Sequence, residues 1–155
     1  MVYVSRGMLE RVLMVCTGNI CRSPMAEALL RVRLERRGGG TVESAGLAAL
    51  EGWPADPVAV ELLAERGLDL STHRGRQLTP QLLARFDVVL VMDLAQQRRL
   101  AALAPSTRAR VRRIGGLSDF DVPDPFRLPR AAFERAFGLI ERGLDDLERV
   151  SWRVS

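Results

Sequence analysis

Residues 11–24 read Arg-Val-Leu-Met-Val-Cys-Thr-Gly-Asn-Ile-Cys-Arg-Ser-Pro, an apolar run that ends on a thiol, Cys16, and reaches a guanidinium, Arg22, six residues later. A strand, an anion-sized loop and a helix start in that order leave backbone N–H groups facing inward, where they favour an anion. Arg22 adds a planar fork that matches two phosphoryl oxygens. A thiol in such a field loses its proton easily, because positive charge and a helix N-terminus both favour thiolate. Residues Thr17, Gly18, Asn19, Ile20, Cys21 and Arg22 thus form a candidate phosphate cradle with a nucleophile, Cys16, beneath it.

The spacing alone is a weak signal. All 23 basic residues are arginine, so a Cys and an Arg six apart can meet by chance. The additions carry the weight. Gly18 and Asn19 tolerate the positive φ that a loop curling around an anion requires. Ser23 reads as an N-cap and Pro24 as the first helical residue. The alternative is a buried structural cysteine before an ordinary strand-to-helix turn. A second candidate lies far down the chain, in Val122-Pro-Asp-Pro-Phe126. There Asp124 is held between two prolines that fix its neighbours' backbone, which presents the carboxylate stiffly. It reads equally as a leaving-group acid or as an ordinary Asx turn.

The elements that must position these groups alternate between strand and helix. After the strand ending at Cys16, a helix runs from Ser23 to about Arg37, with Met25, Leu29, Leu30 and Leu34 toward the core, and three glycines close it. A short strand over Thr41–Ser44, a helix over Val58–Arg66 and a helix opened by Thr79-Pro80 follow. Asp87–Met92 is an unbroken apolar run, the mark of a buried parallel strand. A helix over Leu94–Leu103, a strand over Val111–Ile114, a loop with three prolines and a last helix complete the chain. Phe133, Phe137, Ile140, Leu144 and Leu147 set that helix's apolar stripe. The pattern predicts an α/β fold, a doubly wound, four-stranded parallel sheet with helices on both faces, whose ligand sits beyond the strands' carboxyl ends.

A chain of 155 residues suits one domain, expected over residues 11–152 behind an N-terminal extension of residues 1–10 in which Met8 is a plausible start. No run approaches a membrane span and residues 1–10 lack a signal-peptide core, so a cytoplasmic protein without membrane insertion is expected. The net charge of +4 raises the question of nucleic acid. The arginines are scattered, however, and no basic–aromatic interleaving is present, which disfavours a nucleic-acid partner. Cys16, Cys21 and the lone His73 are too few for a closed zinc site, and no metal or other cofactor is expected.

Three separated motifs, Cys16-Thr-Gly-Asn-Ile-Cys-Arg-Ser-Pro24, Ser44-Ala-Gly46 and Asp124-Pro-Phe126, together resemble the low-molecular-weight protein tyrosine phosphatases. The resemblance spans residues 11 to about 150. It implies a metal-free mechanism on phosphotyrosine proteins. Cys16 attacks phosphorus, Arg22 and loop amides hold the oxygens, and Asp124 protonates the leaving phenol, then activates water. It also implies that Ser23 donates to the Cys16 sulfur, that Asn19, Ser44 and His73 pin the loop, and that Cys21 can trap an oxidised Cys16 as a disulfide. A small buried filler is the alternative for Cys21.

The substrate cleft is expected among Ile20, Leu50, Trp53 and Phe126. Relatives often carry Trp near position 50; the Leu-containing version here is similar to bacterial members encoded with exopolysaccharide export and its tyrosine autokinases, a resemblance that implies such a kinase as a candidate substrate. Phe126 stands where Tyr is common. Protein arginine phosphatases are similar too, but carry a small Thr where this chain has Ile20. Arsenate reductases need further cysteines, and a non-catalytic phosphate-binding module would not need nucleophile, Arg and acid together.

Overall fold

The computed structural model describes residues 11–151; the expected extension, its start at Met8 and residue 152 lie outside the described residues. Four parallel strands, β1 (Arg11–Cys16), β2 (Thr41–Gly46), β3 (Val88–Val91) and β4 (Val111–Arg113), lie in the order β2-β1-β3-β4. The chain leaves β1 toward one edge and returns to its other side, so the strand order reverses at β1. A ligand site belongs at such a point, beyond the carboxyl ends of the strands. Cys16 is the last residue of β1.

Why β1 and β3 are apolar without alternation follows from their two covered faces. Val12, Met14, Val88 and Leu90 face the layer of α1 (Arg22–Arg36), α2 (Pro57–Ala64) and α5 (Arg130–Ser151). Leu13, Val15, Val89 and Val91 face Leu82, Leu83 and Leu100, supplied by α3 (Pro80–Leu83) and α4 (Leu94–Leu103). The four core positions expected on α1 are buried, as are all five on α5. Asp56, Thr79 and Asp93 each accept a backbone N–H of the helix they precede.

Several boundaries differ from the sequence reading. Strand β2 runs two residues beyond Ser44 because Ala45 and Gly46 pair with Val15 and Cys16, the last two residues of β1. Helix α2 stops at Ala64, and β4 at Arg113. Helix α1 begins at Arg22, with Cys21 before it and no side-chain cap. Ser23 is therefore not an N-cap; its hydroxyl turns inward to sulfur instead.

Helix α5 carries two glycines in opposite surroundings. A Cβ at Gly138 would meet nothing within 4 Å, whereas one at Gly143 would lie 2.6 Å from the Ile114 carbonyl oxygen. Gly138→Ala should therefore stabilise the protein by up to about 1 kcal/mol, the usual helical gain. Gly143→Ala should destabilise it by about 1–3 kcal/mol through overpacking. Urea melts of the two variants check the opposite signs; a gain at both positions would contradict the close approach of α5 to Ile114, just past β4.

Candidate active site

Between Cys16 and α1 the chain makes a loop whose carbonyl groups all point away from its centre. Cys16 O accepts from Leu47 N (2.9 Å), Thr17 O from Ala48 N (3.0 Å) and Gly18 O from Leu50 N (3.0 Å). Asn19 O accepts from His73 Nε2 (2.7 Å), Ile20 O from Asp56 N (2.8 Å) and Cys21 O from Met25 N (3.2 Å). Because a carbonyl oxygen only accepts, the His73 proton sits on Nε2. With successive carbonyls held on the outside, the peptide N–H edges turn to the inside, the arrangement of an anion nest. Gly46 makes this docking possible, since a Cβ there would lie 2.5 Å from Thr17 O.

Asn19 is the hub. It carries the loop's left-handed turn (φ 59°), which Gly18 does not share. Its Nδ2 donates to Ser23 Oγ (2.8 Å) and Ser44 Oγ (3.0 Å), and its Oδ1 accepts from Arg76 N (2.9 Å). Ser23 Oγ, which accepts from Asn19, lies 2.9 Å from Cys16 Sγ, within reach to donate its hydroxyl hydrogen to a thiolate there. Asn19 N also donates to that sulfur, at 3.3 Å. Asn19 and Ser23 are fully buried.

Arg22 is 4% exposed and comes from the first turn of α1. Its Nη1 donates to Asp93 Oδ2 (3.0 Å) and Val122 O (2.8 Å), which uses both hydrogens of that nitrogen. The Nε–Nη2 edge remains to face an anion, and Nη2 lies 3.8 Å from Asp124 Oδ2. Asp124 makes the Asx turn, its Oδ1 accepting Phe126 N (3.1 Å), and this leaves Oδ2 on the side of Arg22.

A cavity of about 200 Å3 opens over the loop, lined by residues 16–22, Ala48, Leu50, Asp124 and Phe126. Of the four cleft candidates, Ile20, Leu50 and Phe126 line it. Trp53 does not. Its N–H returns to Leu50 O, its carbonyl accepts Gly75 N, and this turn leaves the indole 54% exposed outside the cleft. Cys21 also lines the cavity, but burial pushes its thiol well above the ordinary range, with Asp56 adding to the effect. A thiol so held is a poor nucleophile at neutral pH. Among the described residues, no group of three or more His, Cys, Asp or Glu is placed to hold a metal ion, and no helix is long and apolar enough to cross a membrane.

Four contributors escaped the sequence reading. Asp93 holds Arg22 with one oxygen and caps α4 with the other. Gln96, buried on α4, donates to Thr17 Oγ1 (3.2 Å). Arg76 presents its N–H to Asn19, and its guanidinium donates to Ser44 O (3.0 Å). Ala48 forms cavity wall. Only Asp93 carried a signal, an acidic cap directly after a buried strand.

The chain matches the low molecular weight phosphotyrosine protein phosphatase family over residues 11–151 and belongs to it. It is 51% identical over 138 residues to a Ralstonia solanacearum protein named "Probable low molecular weight protein-tyrosine-phosphatase EpsP", covering 89% of this chain and 93% of the relative. Its fold is similar to that of Vibrio vulnificus Wzb in complex with benzylphosphonate, with a TM-score of 0.82 at 36% identity over 92% of this chain and 97% of the other. It is also similar to the YwlE arginine phosphatase from Geobacillus stearothermophilus, with a TM-score of 0.78 at 32% identity over 94% and 97% of the two chains.

Asn19→Ala should remove three hydrogen bonds and strain a left-handed backbone, costing about 3 kcal/mol in a urea melt. Asn19→Gly should recover only the backbone part. Equal stability of Asn19→Ala and the parent would mean that Asn19 does not hold the loop.

Proposed function

We propose that this protein hydrolyses phosphotyrosine in proteins through a cysteinyl-phosphate intermediate, with Cys16, Arg22 and Asp124 as its catalytic residues. The observation that carries this reading is the loop itself, with carbonyls outward, sulfur at its base and the Arg22 edge at its rim. The phosphoryl oxygens take the inward N–H groups of residues 17–22 and the Nε–Nη2 edge of Arg22, so charge on the transferring group meets fixed donors. The Cys16 sulfur attacks phosphorus as the bond to the tyrosine oxygen breaks, and Asp124 gives its proton to that oxygen. Asp124 then takes a proton from water, the water oxygen attacks phosphorus, and the S–P bond breaks to release inorganic phosphate. Ser23 and Asn19 N–H solvate the departing thiolate. Asn19, Ser44 and His73 keep the loop in shape.

Ile20, Leu50 and Phe126 form the apolar walls that receive the phenyl ring. This work is assigned to one domain over residues 11–152 in the cytoplasm. The similarity to EpsP and Wzb, together with the Leu-containing cleft, supports a bacterial tyrosine autokinase of exopolysaccharide export as the substrate protein.

Cys16→Ser should abolish turnover while retaining phosphate binding, because the cradle is backbone and Arg22; activity within tenfold of the parent would sink the covalent mechanism. Asp124→Ala should slow release of a tyrosine phenol, pKa near 10, by roughly a hundredfold or more, and an activated aryl ester far less. Equal losses on the two esters would place the acid elsewhere.

Protein arginine phosphatase is the second reading, favoured by the similarity to YwlE. Ile20, a cavity residue where arginine phosphatases carry Thr, discriminates between the two. The parent should turn over phosphotyrosine peptides in preference to phosphoarginine peptides, and Ile20→Thr should shift that ratio toward phosphoarginine. A ratio unmoved by the substitution would remove Ile20 from specificity.

A further inference from the structure

Asp124 is set on a loop that gives it little burial: its side chain is 53% exposed, and one of its oxygens is spent on its own turn. Its aim must therefore come from the backbone that carries it, and that backbone is anchored upstream. Arg113, the last residue of β4, is 13% exposed and forks across two carboxylates of the approaching segment. Nη2 donates to Asp119 Oδ1 (2.5 Å) and Nη1 to Asp121 Oδ1 (2.9 Å). Asp121 Oδ1 also accepts Leu94 N (3.0 Å), the first N–H of α4, next to the Asp93 that holds Arg22. Asp119 sits in the left-handed region at φ 54°, a conformation that persists in a non-glycine residue when its surroundings impose it. One residue beyond Asp121, Val122 is locked by Met92 O on its N–H and by Arg22 on its carbonyl. Asp124 follows two residues later.

We infer that Arg113 is a positioning residue for Asp124, acting through Asp119 and Asp121 to set where the acid loop leaves β4. The inference rests on the reading of Asp124 as the leaving-group acid. Ion pairs with partners as exposed as Asp119 contribute little to stability. Their value here is geometric, since misplacing a reacting group by about 1 Å can cost about a hundredfold in rate.

The test is kcat/KM, which ends at formation of the cysteinyl phosphate and so omits the hydrolysis step that both esters share, on phosphotyrosine and on a dinitrophenyl phosphate for the parent, Arg113→Gln, Asp124→Ala and the double variant. Arg113→Gln should lose about tenfold on phosphotyrosine, a part of the general-acid contribution, and less than about twofold on the activated ester. In the Asp124→Ala background it should cost nothing further. Arg113→Lys, a point charge that cannot span both carboxylates, should fall between parent and Arg113→Gln. If Arg113→Gln does not fold, Asp121→Ala should show the same bias between esters. Equal losses on both esters, or a further tenfold loss in the double variant, would overturn the inference. A biased Asp124→Ala beside an unbiased Arg113→Gln overturns the tether alone. An unbiased Asp124→Ala overturns the acid assignment and the tether with it.

Discussion

Six consecutive carbonyl groups on the outside of one loop need six donors, and much of the molecule is arranged to provide them. A buried carbonyl left without a partner costs as much as a lost hydrogen bond or more. The chain after β2 therefore stays beside the loop, giving the N–H groups of Leu47, Ala48 and Leu50 in turn. The N-terminus of α2 brings Asp56 N to Ile20 O, and the segment after it returns with His73 for Asn19 O. Inward N–H groups are the other side of the same constraint. The loop is shaped for an anion because its periphery has been satisfied, and no single residue in it could create that shape alone.

The buried guanidinium obeys a related logic. Arg22 is desolvated, so it must be paired, yet the phosphate clamp proposed for it must keep donors in reserve. Saturating Nη1 with Asp93 and Val122 resolves this, since it fixes the plane of the group and leaves one edge for substrate. Asp93 couples this choice to the fold: its second oxygen caps α4, and Gln96 one turn later braces Thr17 at the opposite end of the loop. One helix start thus steadies both ends of the cradle.

Elements governed by local rules were legible in the sequence. Apolar runs marked β1 and β3, and 3–4 spacing marked α1 and α5. The Cys16-to-Arg22 segment with Ser44-Ala-Gly46 and Asp124-Pro-Phe126 identified the family. Where two uses compete for one residue, local rules chose wrongly. Ser23 looks like a cap because it precedes Pro24, but its hydroxyl is worth more against a buried sulfur and Asn19. Gly18 looked as suited to the left-handed position as Asn19, but only Asn19 can fill it and also bond Ser44 and Arg76. Local rules left Leu50 and Trp53 both open as cleft wall, and Leu50 takes the inner side of the turn. Gln96 and Arg76 act across 79 and 57 residues on Thr17 and Asn19, and no local pattern encodes such contacts.

The cradle and the acid are held by opposite means, and the proposed chemistry requires the difference. Asn19, Ser23 and Arg22 are buried and their hydrogen bonds are made before any substrate arrives, so the phosphoryl group meets donors that need no rearrangement. Asp124 must act twice, first as donor to the leaving oxygen and then as acceptor from water, and a carboxyl sealed from solvent could not perform the second step. Its exposure is therefore part of its function, and burial cannot be what orients it. Pro123 and Pro125 restrict the backbone on either side, the Asx turn fixes one oxygen, and the anchors at Asp119, Asp121 and Val122 set the departure point of the segment. A rigid cradle inherits its precision from packing and satisfied polar groups, whereas an exposed acid inherits it from covalent stiffness and a few tethers.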